Sequence, residues 1–247
     1  MIRGIAGQSW VDLAAMVDIE EFFKLKWKIF AGISRCDSVI GGYFPNRGEM
    51  FDVENSLRLS QMAGQIPDPL YTTHLKVIHA EHGIECLNEY NKLDEIERRQ
   101  YLKLMGGYQP YRSILLKRPE TPHSWTDNIV NFPELKKWIE ALPLLAIHRV
   151  VIYLVDPFAP LILHKDWLRS ESHSSEFFLM KVTDEKKFFI YDDEDRIKYP
   201  VTSPAVFFNE ADWHGGEPLY KQAISIKING IFNPAVRTRC GYTCPEF

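Results

Sequence analysis

Hydrophobic positions recur with two different periods along this chain of 247 residues. Before about residue 145, apolar residues recur every three to four positions, which is typical of helices that pack on a core through one face. From residue 149 the period becomes two, and β-branched residues dominate short runs that end in turns. The pattern therefore predicts a mainly helical N-terminal part and a β-rich C-terminal part.

Three helices are predicted in the first part. Ser9 is an N-cap candidate for a helix whose apolar positions span residues 13–27. A second helix is predicted over residues 94–105, before a pair of glycines. A third is predicted over residues 133–142, because Pro133 suits the first turn of a helix.

Short strands are predicted throughout the second part. They are residues 149–155, 176–183, 187–191, 197–201, 205–208 and 223–232. Such strands at close spacing are typical of an antiparallel barrel or jelly roll, and the acidic run at 192–195 is interpreted as a solvated hairpin tip. No low-complexity linker interrupts the chain, so we expect one domain over 1–247. Residues 1–145 would pack on a barrel of 146–235, and 236–247 would form a tail.

Composition and charge exclude several classes of protein. A content of 45% hydrophobic and 25% charged residues allows one substantial core. The net charge of -4 gives no general electrostatic reason to expect a nucleic-acid partner. No signal peptide, membrane-spanning run or disulfide framework is recognisable, and Cys240 and Cys244 are expected to be free thiols. We therefore expect a cytoplasmic protein without a membrane partner, and its oligomeric state stays open.

A His-x-Asp motif and a later histidine form a candidate metal site. Residues i and i+2 of a strand point to the same face, so His164 and Asp166 could bind one ion together. His214 follows near the end of the strand series, directly before two glycines. Two histidines and one carboxylate on one face of an octahedral ion leave three positions free, as in oxygen-activating iron(II) centres. The alternative is a surface His-x-Asp with an unrelated histidine.

At these residues the sequence resembles the Fe(II)/2-oxoglutarate-dependent oxygenase superfamily. Residues 132–234 look closest to its aspartyl/asparaginyl and prolyl hydroxylase branches. The resemblance implies a mainly β fold with helices, in which a double-stranded β-helix of the jelly-roll or cupin type is backed by N-terminal helices. It further implies Fe(II), O2 and the co-substrate 2-oxoglutarate, with release of succinate and CO2 as an unactivated C–H bond is hydroxylated.

The resemblance also implies a basic residue that binds the far carboxylate of 2-oxoglutarate. Lys227 on the last predicted strand is favoured, because strand periodicity places it with Ser225 on the inward, polar face. Lys181 on the strand after the His-x-Asp motif is the alternative. Tyr153 is either a further contact of this carboxylate or a core tyrosine. Arg149 shares its face and could instead bind a carboxylate of the substrate.

The substrate is inferred only by analogy with these branches. An amino-acid-like, peptidyl or natural-product molecule is expected, and Trp167, Arg169 and His173 are candidates for lining the mouth of its site. Two other interpretations remain open. One is a cupin-type metal-binding or ligand-binding module without oxygenase turnover, and the other is a nucleobase or nucleic-acid demethylase.

Overall fold

A computed structural model describes residues 2–36, 58–60, 62–65, 111–120, 122–155, 161–166, 176–183, 187–217 and 221–242. The strands are β1 (Val11–Asp12), β2 (Tyr111–Lys117), β3 (Leu144–Val155), β4 (Leu161–His164), β5 (Phe177–Lys181), β6 (Phe188–Asp192), β7 (Ile197–Pro200), β8 (Ala205–Phe207), β9 (Trp213–Gly216) and β10 (Ala223–Phe232). The α-helices are α1 (Ile19–Lys24), α2 (Lys26–Ile33), α3 (Pro133–Glu140) and α4 (Pro234–Cys240).

The strands form two antiparallel sheets. One sheet has the order β1-β8-β5-β10-β3-β2 and the other has the order β4-β9-β6-β7. From β3 to β10 the chain passes from one sheet to the other at every step except the hairpin β6–β7. This winding is a double-stranded β-helix, so the predicted jelly-roll fold is confirmed.

The central strand β10 has an apolar face and a polar face. Ile224, Ile226 and Ile228 are almost fully buried in a core cluster that also contains residues of α1, α2 and α3. Full burial of such a side chain contributes about 1.5–3 kcal/mol. Lys227, on the opposite face, reaches Asp166 beyond the end of β4 in the other sheet. The helices therefore pack on the outside of the barrel, as predicted, and the polar face points between the sheets.

The predicted N-terminal helix begins too early in the sequence. Val11 and Asp12 form β1 and pair with β8, and the first α-helix begins only after Asp18. The carboxylate of Asp18 accepts a hydrogen bond from the backbone N–H of Glu21 at 2.9 Å, which caps the helix. The pairing of Val11 with the buried Phe207 outweighs the helical spacing of the apolar residues around it.

The other differences come from pairing between strands that are distant in sequence, or from a helix-start signal that the sequence analysis did not use. β2 lies in the part predicted to be mainly helical, and β3 begins at Leu144 because its first residues pair with the end of β10. The helix α4, which Asn233 caps and Pro234 begins, extends into the predicted tail. Cys240 is a free, buried thiol in this helix.

The remaining predicted elements agree with the structure. Six predicted strands correspond to β3, β5, β6, β7, β8 and β10, and α3 begins at Pro133. Asp192 of the acidic run is the buried last residue of β6, and the rest of the run lies in the turn of the β6–β7 hairpin. The predicted helix at 94–105 and Cys244 lie outside the described residues, and the single domain stays a prediction. Among the described helices, none has both the length and the apolar character needed to cross a lipid bilayer.

Candidate metal centre

Two neighbouring strands bring the two predicted histidine ligands together. His164 is the last residue of β4, His214 lies in β9, and the two residues are register partners. Their ring centroids are 4.3 Å apart and their planes are inclined by 56°. Directly opposed residues of antiparallel strands point to the same face, so both imidazoles are presented on one side of the sheet.

The carboxylate of Asp166 completes the group. One donor atom from each of His164, Asp166 and His214 lies within 4.8 Å of the others. The Nε2 atom of His164 is 3.7 Å from Oδ1 of Asp166, and that of His214 is 3.8 Å from Oδ2. Asp166 follows the end of β4 instead of lying in the strand, and its backbone N–H donates to the carbonyl of Glu210 at 2.9 Å. The three residues predicted to act together do lie together, although the backbone of Asp166 is not that of a strand, as the same-face argument assumed.

His214 is held in the state that a metal ligand requires. Its Nδ1 lies 2.9 Å from the backbone oxygen of Asp212. A proton on Nδ1 donates to that oxygen and leaves the Nε2 lone pair directed at Asp166. Burial, with repulsion from His164, lowers the pKa of His214 to about 3. The imidazole is therefore neutral near pH 7.

Two further charged residues lie beside Asp166. The Nζ atom of Lys227 donates to Oδ2 of Asp166 at 2.9 Å and also contacts Oε1 of Glu210. Burial opposes the charge of Lys227, but the two carboxylates outweigh burial and raise its pKa. Desolvation likewise opposes ionisation of Asp166, but Lys227 and the two imidazoles lower the pKa of this carboxyl group well below its usual range.

Glu210 is a site residue that the sequence analysis missed. Burial, together with repulsion from Asp166, raises its pKa to about 7 against the attraction of Lys227. Its side chain is 12% exposed and its partner on the other sheet is Lys227. The available signal was an acidic residue four positions before the second histidine, in a loop that also supports Asp166.

Three of the other predicted co-substrate residues lie in one row across three strands. Ser225 of β10 is opposite Tyr153 of β3 on one side and Lys181 of β5 on the other. Ser225 and Lys181 are buried, and the Nζ atom of Lys181 donates to the carbonyl of Val201 at 2.8 Å. This row is on the same face as Lys227 and is displaced from it by two residues along β10.

Arg149 lies in the row on the other side of Lys227, opposite Asn229. Interaction with Tyr153 raises the pKa of Arg149. Burial opposes the charge of the guanidinium group, and attraction to Asp166 favours it. The Oδ1 atom of Asn229 is buried, and among the described residues it has no hydrogen-bond partner. A buried acceptor without a partner is unusual, and it fits a site that a further polar group completes. Trp167, Arg169 and His173 lie outside the described residues, so their roles stay predictions.

Side chains from a segment earlier in the chain bind the backbone of β4 and of its neighbour β9. The backbone N–H of Leu163 donates to Oγ of Ser60 at 2.9 Å. Nε2 of Gln65 donates to the carbonyls of Leu161 and Gly216 at 2.9 and 2.8 Å. Because β4 ends in His164, these bonds also fix the position of that candidate ligand.

The glycine after the second histidine allows the two ligand strands to approach closely. A Cβ atom at Gly215 would lie 2.6 Å from the carbonyl oxygen of Leu161. A side chain there would push β4 away from β9 and disturb the pairing of His164 with His214.

Comparison with known proteins gives similarity of fold only. No protein-family model matches this chain, and no curated protein matches it. Similar solved structures include a Pseudomonas putida prolyl-4-hydroxylase, with 13% identity and a TM-score of 0.32 over 56% of this chain and 84% of that chain. The non-heme alpha ketoglutarate dependent carbocyclase SnoK from nogalamycin biosynthesis has 14% identity and a TM-score of 0.35, over 76% of this chain and 86% of that chain. A cupin domain from Bordetella pertussis has 11% identity and a TM-score of 0.25, over 34% and 81%.

These similarities are partial and of low identity, so the chemistry of this chain rests on the side chains described above.

Proposed function

We propose that this protein is an Fe(II)- and 2-oxoglutarate-dependent oxygenase that hydroxylates a C–H bond of an amino-acid-like, peptidyl or natural-product substrate. The observation that carries the proposal is the convergence of donor atoms from His164, Asp166 and His214 within 4.8 Å of one another. Bound iron(II) would supply three open positions at which 2-oxoglutarate and O2 react to give succinate and CO2.

The chemistry of the donor set fits this metal. His214 offers a neutral imidazole whose orientation the carbonyl of Asp212 fixes, and Asp166 offers a carboxylate whose ionisation its surroundings favour. Nitrogen and oxygen donors of this kind suit iron(II), and the three residues are held at the ends or turns of strands in a packed barrel. The role of the protein is to fix these ligands and to leave one side of the ion open.

The co-substrate would extend from the metal toward the row of Tyr153, Ser225 and Lys181. Lys227 is 2.9 Å from a ligand oxygen of Asp166, which is too near the metal for the far end of a five-carbon diacid. Two residues along a strand span roughly 6.6 Å, so the next row provides the missing length. This placement favours Lys181 over Lys227 as the partner of the far carboxylate, the reverse of the order expected from the sequence.

Replacing Lys181 with alanine is expected to raise the dissociation constant for 2-oxoglutarate by about 30-fold to 1000-fold. Loss of a buried cationic partner costs on the order of 2–4 kcal/mol, at about 1.4 kcal/mol per tenfold. Calorimetric titration of the protein saturated with Mn(II) measures this constant. Lys198→Ala is the matched control, because Lys198 pairs with Glu217 on the other sheet. A large defect in Lys227→Ala with none in Lys181→Ala would restore the order expected from the sequence.

A spectroscopic test addresses the reaction class. Anaerobic addition of 2-oxoglutarate to the iron(II) protein is expected to produce a weak visible charge-transfer band, because the keto acid chelates the metal. Iron(II) alone should give no such band, and His214→Ala should abolish it. Binding of iron(II) without the band and without binding of 2-oxoglutarate would instead favour the cupin-type module.

Turnover identifies the substrate class. Candidate amino acids, peptides and small natural products are incubated with the iron(II) protein, 2-oxoglutarate and O2, and succinate release is measured. A productive substrate raises succinate release above the uncoupled rate and gains one oxygen atom by mass spectrometry. If a nucleic acid instead stimulates succinate release, and formaldehyde is released with it, the demethylase is favoured.

A further inference from the structure

Lys227 is fully paired by groups of the protein itself. Its ammonium donates to Oδ2 of Asp166 at 2.9 Å and contacts the carboxylate of Glu210. It also lies 4.7 Å from the ring centre of Phe177, and its side chain is only 8% exposed. A lysine with two anionic partners and an aromatic neighbour needs no external anion to hold it in place.

The oxygen that accepts from Lys227 also faces the metal ligands. Oδ2 of Asp166 is 3.8 Å from Nε2 of His214, so an ion between these two atoms would have the ammonium of Lys227 as a close neighbour. Two cations that share one carboxylate repel each other, and the repulsion is strong where water is largely excluded. In the absence of a metal, the same ammonium offsets the repulsion between Asp166 and Glu210.

We infer that Lys227 is an internal competitor of the metal, which lowers the metal affinity of the triad until an anionic co-substrate binds. The inference rests on the proposed function, because it concerns the same three ligands. A dicarboxylate at the metal adds negative charge beside Lys227 and the ion, and so offsets their repulsion. Metal and co-substrate therefore bind with a positive coupling to which Lys227 contributes, in addition to the coupling that chelation gives.

The test is the affinity for Mn(II) in the absence of co-substrate. It is measured from the electron paramagnetic resonance signal of the free ion. Lys227→Met removes the charge and keeps the length of the side chain, so the dissociation constant is expected to fall about tenfold or more. Lys198→Met is the matched control, because that lysine pairs with Glu217 and takes no part in the triad, and it should leave the constant unchanged. An unchanged or larger constant in Lys227→Met overturns the inference, since a residue that only positioned Asp166 would weaken metal binding when lost.

A second measurement tests the coupling. The ratio of Mn(II) dissociation constants without and with saturating 2-oxoglutarate should be several-fold smaller in Lys227→Met than in the unmodified protein, and an equal ratio overturns this part. If Lys227→Met does not fold, Glu210→Gln replaces it. Loss of that carboxylate leaves the ammonium paired with Asp166 alone, so the Mn(II) constant should rise, and an unchanged constant counts against the inference.

A separate variant distinguishes failure of this inference from failure of the proposed function. His214→Ala should lose Mn(II) binding whatever Lys227 does. If it binds Mn(II) as the unmodified protein does, the triad itself is wrong. If His214→Ala no longer binds Mn(II) while Lys227→Met shows no gain in Mn(II) affinity, only the role of Lys227 is wrong.

Discussion

Replacing Asp166 with alanine is expected to raise the dissociation constant for iron(II) by about 100-fold or more, which corresponds to about 2.7 kcal/mol, and to abolish 2-oxoglutarate turnover. Asp166 is the only anionic member of the triad, and its loss leaves the ammonium of Lys227 beside the site without this partner. Anaerobic calorimetric titration measures the affinity, and circular dichroism checks that the fold survives.

Asp195→Ala is the control for this variant. Asp195 is an exposed carboxylate in the turn of the β6–β7 hairpin, so its removal changes the net charge by the same amount without touching the triad. Iron affinity should stay at the level of the unmodified protein. If Asp166→Ala also keeps that affinity and still turns over 2-oxoglutarate, the triad does not hold the metal.

Replacing Glu176 with glutamine is expected to lower the free energy of unfolding by about 3–5 kcal/mol, because it leaves a largely buried arginine without its charge partner. Glu176 is fully buried and accepts from Nε and Nη2 of Arg237 at 2.8 and 3.1 Å. It also accepts from the backbone N–H of Phe232 at 2.7 Å and from the hydroxyl of Tyr242 at 2.9 Å. One carboxylate thus joins the start of β5, the end of β10 and α4.

Urea denaturation monitored by circular dichroism measures this loss. Glu134→Gln is the matched control, because Glu134 pairs with Lys28 at 2.9 Å on an exposed surface where an ion pair stabilises little. The unfolding midpoint should fall clearly in Glu176→Gln and hardly move in Glu134→Gln. Similar midpoints for the two variants would mean that the contacts of Glu176 do not stabilise the fold as expected.

The sequence was informative where a residue type and its spacing determine both structure and chemistry. The alternation of apolar and polar residues in β10 predicted which side chains lie in the core and which point between the sheets. Successive side chains of a strand point to opposite faces. His164, Asp166 and His214 were recognisable as candidate ligands because few residue types bind iron(II), and the structure brings their donor atoms together.

The sequence was less informative where partners come from distant parts of the chain. Periodicity showed that Lys227 points inward, but not that Asp166 and Glu210 are within its reach. Likewise, nothing local shows that Val11 pairs with Phe207, or that the N–H groups of Arg3 and Gly4 donate to Asp212. Such contacts depend on how the two sheets are wound, which a single sequence does not specify.

The bonds that Ser60 and Gln65 make to β4 have a consequence for how this strand opens. Ser60 accepts from the N–H of Leu163, and Gln65 donates to one carbonyl in β4 and one in β9. The strand that ends in His164 is therefore held by a distant part of the chain as well as by its own sheet. Exchange of the Leu163 amide proton with solvent would report release of these side chains separately from unfolding of the sheet.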